Sequence, residues 1–362
     1  MEIKDKLQKV CEAFRIEGKL VGYEQIKAGN VNWTYKVTYR RPGGQVKQYI
    51  VQRVNTYAFR KPEQLMHNAD LVTEHIRAKK QGQTALHYYH TQERKTFIYD
   101  EENCFWRLCN FIPSITYSET LDEKILRQTG AAFGEFQMLL SDFPAAELYE
   151  TIPNFHNTPK RLEALFADAE KDPLGRAAEA REELAYIASI REEAEKLTRM
   201  HEQGRLPIRV THNDTKINNV LFDENTHEAL AIVDLDTVMP GLVGHDFGDG
   251  IRFATNFVAE DCPDWRRAGC DLEKFRQFTE GFLSQVSGML TIEERRSLAL
   301  SVFAITVELA SRFLDDYLVG DLYFNIHYPD HNLVRTRCQL AMARDVHRKL
   351  DQMQAIVDGC CC

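Results

Sequence analysis

Strand-like apolar runs dominate the first third of the chain, and the spacing then becomes helical and stays so almost to the end. Residues 5–16 open the chain with Leu7, Val10, Cys11 and Phe14 on one helical face. Residues 26–39 read as strand, glycine-bearing turn and strand. Arg41-Pro42-Gly43-Gly44 reads as a hairpin turn, and residues 48–54 as a third strand. A helix over 67–79 separates these from two more strands, 95–99 and 104–112, the second ended by Pro113. Beyond Pro113, residues 121–143 carry Leu126, Ala132, Phe133, Phe136, Met138 and Leu139 at helical spacing, with Gly134 where a second helix would approach closely. Further helices are expected over 159–169, 174–201, 272–286, 292–318 and 332–357. The 174–201 segment is laced with Glu and Arg four residues apart, the mark of a solvated face.

One non-helical stretch interrupts the second half. Thr211-His212-Asn213-Asp214 opens it, and His212, Asp214 and Asn219 stand in the spacing H-x-D-x-x-x-x-N. Ile217 and Val220-Leu221-Phe222 read as buried anchors, Asp223-Glu224-Asn225 as a turn, and residues 229–233 as a short apolar strand ending at Asp234. Phosphoryl transfer of the kinase type needs an acid near an acceptor hydroxyl and oxygen ligands for a metal. Asp214 is the candidate base, and Asn219 and Asp234 are the candidate ligands for Mg²⁺, a cation that prefers hard oxygens. His212 is expected as a buried brace of the loop. Asp246-Phe247-Gly248 spells the metal-binding triplet of protein kinases, but Asp246 lies 32 residues past Asp214 and no apolar strand runs into it. Asp246 is expected to support the catalytic loop from inside. His156, His245 and His327 read as ordinary polar residues.

Charge narrows the partners. A net charge of −9 and a pI near 5.8 disfavour nucleic acid and anionic membrane as partners, so an anionic nucleotide would need a local basic and metal site. No apolar signal core follows the charged first residues and no run has membrane-span length, which places the expectation in the cytoplasm. Nine cysteines without a C-x-x-C pair read as reduced, packed thiols, with Cys360-Cys361-Cys362 a frayed tail.

The stretch from His212 to Asp236 resembles the aminoglycoside phosphotransferase and choline kinase superfamily. Four runs resemble the N-acetylhexosamine 1-kinases within it: residues 211–216, residues 234–241, Asp246-Phe247-Gly248-Asp249 with Ile251-Arg252-Phe253, and residues 331–337. The resemblance implies a two-lobed, protein-kinase-like α+β fold. A small antiparallel-sheet, nucleotide-binding lobe would cover residues 1–112, and a mainly helical catalytic and sugar-binding lobe residues 113–362. It implies ATP as co-substrate, Mg²⁺ as cofactor and an N-acetylhexosamine as acceptor. Another small-molecule kinase of the aminoglycoside or choline type, or a nucleotide-binding pseudokinase, is the alternative.

Site residues follow from the same resemblance. The turn bearing Gly29 and Asn30, with Asn32 and Thr34 behind it, would cover the nucleotide phosphates with backbone N–H groups. Gln52 stands where kinase-like folds usually carry a phosphate-holding lysine, and Arg53 faces the other way because strand side chains alternate. Lys216 is a candidate to compensate, and Asp70 or Glu74 would face this strand from the helix. Backbone groups of Asn110, Phe111 and Ile112 would meet the adenine edge. Arg312, Tyr323 and Phe253 would line the sugar pocket, with Asp236 adding a sugar or metal contact. Read without the resemblance, Arg312 could equally be a core arginine satisfied by Asp315, Asp316 or Asp321.

Overall fold

Alternation in the N-terminal strands does produce a sheet with one apolar face. The computed structural model describes residues 2–27, 31–118 and 122–360, and the chain divides into two compact units. The first unit comprises Met1–Ile115, Asp142–Ile152 and Leu221–Met239. Its elements are α1 (Ile3–Glu12), β1 (Lys19–Ile26), β2 (Trp33–Arg40), β3 (Val46–Arg53), α2 (Pro62–Lys80), β4 (Phe97–Tyr99) and β5 (Phe105–Asn110). They build an antiparallel sheet in the order β1-β2-β3-β5-β4. Tyr35, Val37, Tyr39, Tyr49, Val51, Trp106 and Leu108 pack beneath Leu7, Val10 and Cys11 of α1. Gln52 and Arg107, opposite each other in register, therefore point to the other face of the sheet. β1 starts at Lys19, ahead of the expected strand, because its pattern of mostly exposed residues leaves little periodicity to read.

Two later segments return to this unit, and α2 holds them. Asn68 is fully buried, and its amide donates to the carbonyls of Tyr149 (2.8 Å) and Val238 (2.9 Å), while its oxygen accepts from the Tyr149 N–H (2.9 Å). The strands Val220–Phe222 and Ala229–Ile232 pair as the expected hairpin.

The second unit comprises Thr116–Ser141, Pro153–Val220 and Pro240–Cys362 and is mainly helical. It contains α3 (Glu123–Leu139), α4 (Thr158–Lys171), α5 (Arg181–Ala194), α6 (Lys196–Glu202), α7 (Val243–Ala254), α8 (Leu272–Val286), α9 (Ile292–Arg296), α10 (Leu298–Val319) and α11 (His331–Gly359). The expected helix over 174–201 is in fact α5 and α6. They part at Glu195, whose buried carboxylate accepts from Arg191 (2.6 Å) and Arg199 (2.7 Å), and residues 174–180 are turns beginning at Gly175 with φ +72°. The 292–318 segment likewise divides at Ser297.

Helices α3 and α8 touch backbone to backbone. A methyl at Gly130 would strike the Phe278 carbonyl, one at Gly134 the Phe282 carbonyl, and one at Gly281 the Arg127 carbonyl. Gly281→Ala should therefore push the helices apart and cost about 1–3 kcal/mol as overpacking, read as a lower Tm by calorimetry. Gly288→Ala, where nothing lies within 4 Å, is the control and should change little.

Among the described residues no helix is long and apolar enough to cross a membrane. Cys11, Cys109, Cys270 and Cys338 are buried free thiols.

Candidate active site

A short strand, Arg209–Thr211, delivers the chain into the H-x-D loop of the second unit. Asn213 takes φ +64°, a conformation that asparagine tolerates better than most residues. Asp246 at the start of α7 accepts the His212 N–H (2.9 Å) and Gln137 Nε2 (2.6 Å) on one oxygen and the Asn213 N–H (2.8 Å) on the other. It is fully buried, and burial raises its carboxyl above the usual value against the pull of His212 and these donors. The expected internal support of the loop is this residue. Asp249 accepts the Thr215 N–H (2.9 Å) and is in turn held by Arg252 (2.9 Å). His212 is buried between Phe133 and Phe136, with ring centroids 5.7 and 5.8 Å away. Its Nδ1 accepts the Asp214 N–H at 3.3 Å, so it fixes the loop as a brace.

Asp214 remains partly exposed, with Lys216 Nζ 3.0 Å from one carboxylate oxygen. Asn219 donates from Nδ2 to the Asp214 carbonyl (2.9 Å) and carboxylate (3.2 Å). Both donations fix the nitrogen end of the amide, so its oxygen points away from Asp214.

His156, which sequence reasoning passed over, also belongs to this loop. Its Nε2 lies 3.3 Å from the Asn213 carbonyl and its Nδ1 2.9 Å from Glu308, whose other oxygen accepts from Thr158 (3.1 Å). Glu308 lies 152 residues further along the chain, and no local pattern announces such a pairing.

In the first unit the hairpin ends at Asp234, exposed and at φ +62°, followed by the 3₁₀ turn Leu235–Thr237. Asp236 on that turn is 2% exposed, and its oxygens accept from Arg107 Nη1 and from Asn32 Nδ2 (2.7 Å). Arg107 Nε donates to Gln52 Oε1 (2.9 Å), and Gln52 Nε2 donates to Thr34 Oγ1 (3.0 Å). Asn32, Thr34, Gln52 and Asp236 are thus brought together around an arginine that sequence reasoning did not single out. Asp236, expected as a sugar or metal contact, has both oxygens engaged within its own unit. Gly29 and Asn30 lie outside the described residues. Neither acid expected to face β3 from α2 does so: Asp70 pairs with His90 (3.1 Å) and Glu74 with Arg77 and His87. Met66 is the α2 residue against Arg107, its sulfur 3.8 Å from Nη1.

At the end of β5, the Asn110 N–H bonds to the His87 carbonyl (3.1 Å) and its side chain to the His87 N–H (2.8 Å) and Ala85 carbonyl (3.0 Å). Phe111 lies under Lys36 (5.5 Å), and the carbonyl of buried Ile112 accepts from Ser114 (2.9 Å).

Arg312 on α10 has three aromatic neighbours in the second unit: Phe155 (4.8 Å), Phe324 (5.7 Å) and Tyr323 (5.9 Å). Phe253, half-buried near the end of α7, is not among them. No carboxylate pairs with Arg312 among the described residues, and two of the three candidate partners, Asp316 and Asp321, are occupied elsewhere. Asp316 accepts the N–H groups of Leu322, Tyr323 and Phe324 and thereby shapes the turn that carries Tyr323. Asp321 binds Arg176 (2.7 Å) and Asn332 (2.9 Å). The Asp315 carboxyl is pushed up to about 6 by burial, with Asp168 and Asp316 adding to it. A second cation, Arg161, donates to the Phe155 carbonyl (3.3 Å); burial and then Arg312 lower its affinity for its proton.

Comparison with known proteins bears on the family and the fold. The model of the phosphotransferase enzyme family matches residues 22–280. The chain is similar in fold to a spectinomycin phosphotransferase solved with ADP and spectinomycin, at 14% identity and TM-score 0.60 over 96% of this chain and 98% of that one. It is similar to an amicoumacin kinase solved with AMP-PNP, Ca²⁺ and amicoumacin, at 11% identity and TM-score 0.60 over 96% and 97%. It is also similar to a choline kinase from Cryptosporidium parvum, at 14% identity and TM-score 0.57 over 98% of each chain.

Proposed function

The chain belongs to the phosphotransferase enzyme family, and on that premise we propose that it is an ATP-dependent kinase phosphorylating N-acetylglucosamine and N-acetylgalactosamine at O1. The observation that carries the acceptor class is Arg312. A guanidinium with aromatic neighbours and no carboxylate partner among the described residues is a directional donor for ring hydroxyls or an acetamido carbonyl, and Tyr323 can cover an apolar sugar face. The same geometry disfavours a cationic acceptor such as choline or an aminoglycoside. Arg312 already occupies the aromatic surroundings that a quaternary ammonium would need, and Arg161 stands beside it as a second positive charge.

In the transfer step the Asp214 carboxylate takes the proton of the O1 hydroxyl as that oxygen attacks the γ-phosphorus. The bond from phosphorus to the β–γ bridging oxygen breaks, and ADP leaves with its electron pair. Asn219 and Asp234 each offer a hard oxygen of the kind Mg²⁺ prefers and are the residues that would hold it. No group of three His, Cys, Asp or Glu side chains among the described residues would hold an ion unaided. When bound, the metal would spread the charge of the transferring phosphate. The divalent ion and ATP analogue in the amicoumacin kinase support this assignment. Asn32, Thr34, Gln52 and the backbone of residues 110–112 would contact the nucleotide, as would Gly29 and Asn30. Phe253 would add to the sugar environment, whereas Asp236, buried with both oxygens engaged, is not free to do so.

An ATP-consumption screen with N-acetylhexosamines, plain hexoses, choline and kanamycin tests the acceptor. Both N-acetylhexosamines should turn over, and glucose and galactose should be poorer by roughly tenfold or more in kcat/KM, the scale of one lost hydrogen bond to a charged group. Arg312→Ala should narrow that gap while lowering activity on every sugar. The product should be acid-labile and no longer reducing. A product that still reduces places the phosphate elsewhere and sinks the O1 assignment.

A further inference from the structure

Arg107 is a buried cation to which the chemistry above gives no role. β3 presents the neutral Gln52 on the face of the sheet turned away from α1, and Arg107 is its direct cross-strand neighbour on β5. The guanidinium is 1% exposed and packed against Tyr88 (5.5 Å) and Met66 (3.8 Å). It reaches Gln52 through Nε and Asp236 through Nη1. Stability is a weak reason for such a pair, because apolar residues of similar volume often do as well. Position offers a better one. Asp236 lies two residues beyond Asp234, on the 3₁₀ turn that follows it. Asp234 itself holds a left-handed φ of +62°, which costs energy outside glycine and persists only when the surroundings impose it. Asn32, on the loop ahead of β2, joins the same carboxylate at 2.7 Å.

We propose that Arg107 is the positioning residue for the turn that binds metal and phosphate. By clamping Asp236 it sets the carboxylate of Asp234, and it supplies from β5 the cationic role that Gln52 leaves vacant on β3. The inference rests on the nucleotide-binding reading above. Burial opposes the charge on the guanidinium, while Asp236 first and Asp234 more weakly hold it in place. The turn's two acids and the arginine therefore form one electrostatic unit.

Calorimetric titration of ATP without sugar, with and without Mg²⁺, tests this on wild type, Arg107→Met, Arg107→Lys and the double variant Arg107→Met/Gln52→Lys, each with its Tm. Wild type should bind ATP more tightly with Mg²⁺. Arg107→Met should lose about tenfold or more in Mg²⁺-dependent affinity, with a much smaller change in the absence of Mg²⁺. Moving the cation across the register to residue 52 should restore a large part of that loss. The proposal is overturned if Arg107→Met binds within about twofold of wild type. It is equally overturned if affinity falls alike with and without Mg²⁺, or if the double variant regains Tm but no Mg²⁺-dependent affinity. Should Arg107→Met fail to fold, Arg107→Lys carries the test, and the same loss confined to Mg²⁺-dependent binding is required of it. A wild type that binds no nucleotide would instead remove the functional reading, a separate and distinguishable result.

Discussion

Replacing Asp214 with asparagine should leave the fold and nucleotide affinity unchanged and lower turnover by roughly 10²–10⁴-fold, the range of a positioned general base. Asparagine is nearly isosteric, so Asn219 can still donate to the Asp214 backbone carbonyl, a contact made at 2.9 Å that involves no carboxylate. The loop keeps its other supports in Asp246, Asp249 and His212, none of which touches the substituted atoms; His212 bonds only to the backbone N–H of residue 214. What disappears is the group proposed to accept the hydroxyl proton as the phosphorus–oxygen bond forms. Lys216 also loses its charged partner at 3.0 Å, so the pH profile of the residual activity should be recorded with kcat and KM. Turnover near wild type would remove Asp214 from the mechanism.

Two acids, Asp234 and Asp246, should fail in opposite ways. Asp234→Ala removes an exposed carboxylate at the end of a hairpin, so the Mg²⁺ enhancement of ATP binding should be lost, with a stability cost of about 1–2 kcal/mol from placing alanine at a left-handed φ. Asp246→Asn should keep the Mg²⁺ dependence and lose stability. An amide has one acceptor oxygen and two N–H donors, whereas Asp246 receives two backbone N–H groups and Gln137 on its two oxygens. At least one buried donor then faces another donor. With bonds to charged groups worth about 1.5–3 kcal/mol each, the loss should reach roughly 3 kcal/mol. Denaturant melts and Mg²⁺-dependent ATP titrations on both variants give the answer. If Asp246→Asn loses the metal dependence and Asp234→Ala keeps it, the ligand was assigned to the wrong acid.

The layout of the H-x-D loop is local, and that is why it was legible. His212, Asp214 and Asn219 lie within eight residues, and a loop anchored by Ile217 and Phe222 presents them in one place whatever the rest of the chain does. The hairpin to Asp234 and the role of Asp246 could be read for the same reason: each is a short apolar strand or a buried acid next to the element it serves. The helical half was legible as periodicity. Its breaks at Glu195 and Ser297 were not, because the apolar and charged spacing runs on through both positions.

Contacts across the chain had no such signature. Arg107 and Asp236 are 129 residues apart, His156 and Glu308 152, and Asn68 and Val238 170. Arg107 sits in an apolar strand where alternation says only which face it takes, and nothing in the sequence says that a 3₁₀ turn will bring a carboxylate to that face. Arg312 makes the same point in reverse. The sequence surrounds it with Asp315, Asp316 and Asp321, and only the folded chain shows Asp316 and Asp321 drawn to other donors and, among the described residues, none of the three paired with it. By itself, then, the sequence determined the strand-then-helix order and the layout of the H-x-D loop and its hairpin, because these depend on spacing along the backbone. Which charges meet was decided by the tertiary structure, because electrostatic pairing in a protein interior depends on distance through space and on which competing partner desolvates at least cost.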